Sequence, residues 1–126
     1  MSTERQVGTV KVEFASNDTS VVALLGEHDL HSRPALEATL AYAAEGRNVL
    51  VDLSRCSFVD SAIISLLLST QRTVQKREGR CELVIPPESG YVTRLFEISG
   101  ISGLFRVHPS RNVGFASMAG PSLALG

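Results

Sequence analysis

The chain has 126 residues, enough to bury one hydrophobic core and too few for two. Twelve basic residues face thirteen acidic ones, for a formal net charge of −1, and no like charges run together, so the electrostatic footprint expected of a nucleic-acid or anionic-lipid binder is missing. No segment approaches the roughly 20 apolar residues needed to span a bilayer. The N-terminus MSTERQVGTV lacks a basic head followed by an apolar stretch, so the expectation is a cytoplasmic chain with no membrane insertion.

The first predicted element is Thr9 to Ala15, where Val10, Val12 and Phe14 alternate with polar residues in the period of a half-buried strand. Asn17-Asp18 marks a turn. Ser20 to Gly26 is an almost unbroken apolar run, which predicts a deeper second strand paired antiparallel to the first and stopped by Gly26. Ser32 to Glu45 reads as an amphipathic helix: Ser32 is placed to cap it, Pro34 falls in the first turn, and Leu36, Leu40 and Ala43 share a face. Asn48 to Leu53 is a short β-branched run of the kind buried on both faces, hence the central strand.

After a connection between Leu53 and Asp60, a helix of about four turns is predicted, with Asp60 as its N-cap. Arg80 to Ile85 predicts another buried strand, and Pro86-Pro87 ends it. Val92, Leu95, Phe96 and Ile98 predict a short helix closed by Ser99-Gly100. Leu104 to Val107 supplies a last strand, and Pro109 to Met118 a weak helix with Gly114 inside it. The order implies an α/β fold: a mostly parallel sheet with an antiparallel N-terminal hairpin and helices packed against it. The domain is expected over residues 7–118, with residues 1–6 and 119–126 as flexible termini.

Signatures of catalysis are missing: the sequence holds no phosphate-binding loop, dinucleotide fingerprint, zinc-protease helix or nucleophile elbow. Ser61 with Asp29, His28 and His31 invites a triad reading, but nothing local provides an oxyanion hole. His28 and His31 lack the third and fourth ligands of a zinc site and read as exposed loop residues. Arg72, Lys76 and Arg77 form a solvated basic face. Cys56 and Cys81 sit in apolar strands and read as free buried thiols. No cofactor is expected.

One segment stands apart. In VLVDLSRCSFVDSAIISLLL a strand leads to Asp60-Ser61 at a helix start, where backbone N–H groups are unpaired; taken alone, this is an ordinary capping sequence. Two further segments accompany it in order: Gly26-Glu27-His28-Asp29, and Arg94-Leu95-Phe96-Glu97-Ile98-Ser99-Gly100-Ile101. Together with Asp52-Leu53 and Phe58-Val59-Asp60-Ser61, the trio resembles the STAS domain family over about Val7 to Val107, and most closely the bacterial anti-sigma factor antagonists.

The resemblance implies a protein-binding switch and not an enzyme. It carries the phospho-acceptor role to Ser61 and places Asp29, Asp60, Ala62 and Ile63 at the partner-binding surface. The implied partner is an anti-sigma factor with serine kinase activity, which holds the ATP and Mg²⁺; a homodimer is left open. The chain departs from the family pattern where Ala62-Ile63-Ile64 replaces the usual [ST]-G-L, and Ile63 either fills the space the glycine leaves or offers a new apolar contact. His28 for the usual leucine is a milder change. The alternative function is a non-switching scaffold in a stressosome-like assembly or an accessory subunit of a membrane transporter. A small-ligand sensor is weaker, because no polar constellation in the sequence marks a pocket.

Overall fold

The structure, a computed structural model, describes residues 8–14, 18–98, 100 and 102–119. Five strands, β1 (Thr9–Phe14), β2 (Thr19–His28), β3 (Asn48–Val59), β4 (Cys81–Val84) and β5 (Val107–His108), form one sheet in chain order. β1 runs antiparallel to β2, and every later neighbour is parallel. Helices α1 (Arg33–Ala43), α2 (Ser61–Gln75) and α3 (Gly90–Ile98) make the crossovers, and α4 (Arg111–Ala119) follows β5. This is the α/β fold, the mostly parallel sheet and the N-terminal hairpin that the residues predict.

Sequential strand order with crossovers of one hand puts all connecting helices on one face. That face holds the main core, in which Leu36 and Leu40 of α1, Ile63, Leu67 and Val74 of α2, and Val92 and Phe96 of α3 pack over Val22, Leu24, Val51, Leu53 and Leu83. Part of the other face is covered by α4, whose Met118 and Phe115 meet Val21, Leu50 and Val84. Burial on both faces explains why β2 and β3 read as continuous apolar runs instead of alternating. Gly114 sits inside α4 because a Cβ there would come within 3.0 Å of the Leu50 side chain.

Several boundaries move. Gly26 does not stop β2, and β3 does not end at Leu53: the two strands continue together to His28 and Val59, with shifts of register between Ala23 and Leu25 and between Gly26 and Glu27. Gly26 takes φ +82° at the second shift, a conformation that only glycine adopts without strain. The segment predicted as a last strand begins instead with a 3₁₀ turn, Ser102–Leu104, and the strand itself is Val107–His108.

Ser32 stands at the N-cap position of α1 but makes no capping hydrogen bond, because its hydroxyl is engaged in the preceding turn. Gly100, at φ +73°, follows α3 as predicted, while Ser99 lies outside the described residues. So do residues 1–6 and 120–126, on which most of the expected flexible termini fall; Ala119 belongs to α4. Cys56 and Cys81 are free and buried. Burial pushes their thiols up to about 11 and about 12, with the neighbouring Glu82 carboxylate adding to the shift at Cys81. No helix among the described residues is long and apolar enough to cross a membrane.

Candidate functional site

The carboxyl ends of β2 and β3 deliver two short segments to one end of the sheet: Asp29 to Ser32 before α1, and Asp60-Ser61 at the start of α2. Asp60 has an extended backbone, and its Oδ1 accepts the Ile63 backbone N–H at 3.1 Å. That is the N-cap geometry expected of an aspartate before an apolar helix. Its Oδ2 accepts the Leu30 N–H at 3.0 Å. One carboxylate therefore caps α2 and ties the β2–α1 turn to it.

Ser61 is the first residue of α2 and is exposed. Ala62 is half-buried beside it, whereas Ile63 is 0% exposed and packs in the main core. Of the two alternatives for Ile63, the structure has it fill the internal space; no part of its side chain is offered to a partner. Asp29 is partly exposed in the turn that Asp60 holds. Its Oδ1 accepts the His31 N–H at 2.9 Å, and the His31 ring lies 3.5 Å from the same oxygen.

His28 is fully buried, not an exposed loop residue as expected. Its Nε2 lies 3.1 Å from the Leu25 carbonyl and its Nδ1 3.2 Å from Ser32 Oγ. A carbonyl only accepts, so Nε2 carries a proton and donates it to Leu25. The ring fills the place of the usual leucine while bracing the turn from beneath. Both ring nitrogens of His28 are thus engaged within the β2–α1 turn.

Sequence reasoning assigned no role to three other residues at this end. Leu30 is 64% exposed, an apolar side chain displayed on the turn that Asp60 fixes. Phe58 and Tyr91 stack with ring centroids 5.9 Å apart, and with Glu27 and Ser57 they line a shallow groove. Leu30 was legible as an apolar residue among polar ones in a turn. The pairing of Phe58 with Tyr91 was not, because it joins β3 to α3.

Comparison with known proteins agrees with this geometry. Residues 12–107 match the family model described as "Mlab, STAS domain", which covers most of the chain. The chain is a member of the STAS domain family. It is 31% identical over 90 residues to an anti-sigma-B factor antagonist of Staphylococcus aureus, covering 70% of this chain and 82% of the relative. Its fold superposes on an anti-sigma factor antagonist from Mycobacterium paratuberculosis with a TM-score of 0.81, at 23% identity, over 90% of this STAS chain and 96% of the other. The Bacillus cell fate determinant SpoIIAA in its phosphorylated form gives a TM-score of 0.67 at 22% identity, over 86% and 99%.

Proposed function

We propose that this STAS protein is an anti-sigma factor antagonist that works as a phosphorylation-controlled partner switch. With Ser61 unmodified it binds an anti-sigma factor that is also a serine kinase and so frees the sigma factor; with Ser61 phosphorylated it lets go. The kinase supplies ATP and Mg²⁺. The observation that carries this reading is the exposed Ser61 hydroxyl at the start of α2, next to a turn that Asp60 holds in place. The likeness to antagonists of the same class supports the choice of partner.

A phosphate adds about −1.5 to −2 charges, and a helix N-terminus tolerates it within the fold. The interface does not. Burying that charge beside the Asp29 and Asp60 carboxylates costs about 2–4 kcal/mol, or roughly 30- to 1000-fold in affinity. Asp29, Leu30, Asp60 and Ala62 form the docking surface, while Ile63 acts only by seating α2 on the sheet.

The test is incubation with candidate anti-sigma kinases and ATP, followed by intact mass, site mapping and calorimetric titration. The expected result is one phosphate on Ser61, none on Ser61→Ala, and constitutive binding by that variant. Phosphate at equal stoichiometry on Ser61→Ala would remove the assignment. A second reading, a non-switching scaffold, is favoured by Ile63 in place of the family glycine; it predicts a stable complex that no kinase dissolves.

A further inference from the structure

The sheet face opposite α1, α2 and α3 is only partly covered. Where α4 leaves it, a cleft of about 470 Å³ opens over the middle of β1, β2 and β3, and is bounded by the segments that follow β4 and β5. Ser61 belongs to the other system, at the start of α2, and is not among the residues lining this cleft.

The floor of the cleft is unusual for a central strand. Asp52 of β3 is 5% exposed and lies in a cross-strand row with Lys11 and Ala23 on one side and Val84 on the other. A strand buried on both faces is normally apolar at such a position. An ion pair there gains little stability over well-packed apolar groups. Asp52 is nevertheless fully engaged: Oδ2 accepts from Arg111 Nε at 2.5 Å, and Oδ1 accepts the Ser54 N–H at 2.9 Å. Arg111 also donates to Glu13 at 3.0 Å, so the first residue of α4 is tied to both sides of the cleft.

Two cations on the cleft wall are left over. Neither Lys11 of β1 nor Arg55 of β3 has an ion-pair partner among the described residues, and the two flank the Ala23 to Leu25 stretch of β2. Glu88 stands at the rim, and its charge opposes a polyanion. We propose that this cleft binds a small organic acid, with a single carboxylate or phosphate set between Lys11 and Arg55 and a polar body lying toward the Asp52 and Arg111 floor. The assignment goes beyond the partner-switching reading and does not depend on it.

The test uses the ¹⁵N-labelled full chain titrated with gluconate and with glucose 6-phosphate, which separate the two acid groups, and with sorbitol as the uncharged control. The expected result is saturable shifts of the Ala23, Ser54, Arg55 and Arg111 amides with at least one acid, and none with sorbitol. The double variant Lys11→Glu, Arg55→Glu, its spectrum otherwise that of a folded protein, should weaken binding by about 10-fold or more. The proposal is overturned if neither acid gives saturable shifts up to about 20 mM, or if sorbitol shifts the same amides equally. It is equally overturned if the charge-reversed variant binds as well, or if the shifts centre on Asp29, Leu30 and Ser61 instead.

Discussion

Asp60 Oδ2 accepts the backbone N–H of Leu30, 30 residues away in sequence, while Oδ1 of the same carboxylate caps α2 at Ile63. The residue before the candidate phospho-acceptor is thus the joint between the two segments of the proposed docking surface. A phosphate on Ser61 would place further negative charge next to that joint.

Removing the joint should cost both the fold and the surface. Asp60→Ala loses an N-cap and leaves the Leu30 N–H without its acceptor, a destabilisation of about 1–3 kcal/mol. Asp60→Asn keeps an acceptor oxygen for the helix and should lose less. Urea midpoints of the three proteins check the order, and hydrogen exchange at Leu30 should be fastest in the Ala variant.

Ile63 separates packing from recognition. Its side chain is 0% exposed in the main core, so Ile63→Ala should lower stability by about 2–5 kcal/mol. Partner affinity, corrected for the folded fraction, should stay unchanged. Calorimetric titration beside urea unfolding checks this, and weaker binding by the folded fraction would show that Ile63 shapes the interface.

Acid should act through Asp52. Burial by itself raises its carboxyl, but hydrogen bonds from Ser54 and the Arg111 guanidinium outweigh burial and hold it below the ordinary carboxylate value. A depressed carboxylate contributes stability that is fully present above its unfolded pKa, about 3.9, and is lost as pH falls through the lower folded value. Asp52→Asn should therefore be less stable at neutral pH by about 1–3 kcal/mol. Its stability should also fall less steeply than the wild type's as pH drops below about 4, as read by urea unfolding at successive acid pH values.

The thiols should be silent in the native state. Burial pushes Cys56 up to about 11 and Cys81 up to about 12, so at pH 8 the thiolate fraction is about one in a thousand or less. A disulfide-exchange reagent at that pH should label neither within minutes, and both promptly in denaturant. Fast labelling of the native chain would place a cysteine at the surface.

Local signals determined much of this molecule. The alternation from Val10 to Phe14, the apolar runs of β2 and β3, and the spacing of Leu36, Leu40 and Ala43 each follow from the period of one element, and so the α/β class and the N-terminal hairpin are legible in the sequence alone. Asp60 as a cap and Ser61 at a helix start were equally local, because a cap bonds within three residues of itself. Tertiary structure decided the rest. β2 and β3 run past Gly26 and Leu53 because each supplies the other's hydrogen bonds, a mutual condition that neither stretch carries alone. Ile63 turns inward because the rotation of α2 is set by the sheet beneath it, and a residue in the first turn has no period of its own to declare a face. The second bond of Asp60, to Leu30, and the tie between Asp52 and Arg111, 59 residues apart, exist only once the chain has closed on itself. Charges that far apart in sequence become partners only where packing strips them of water.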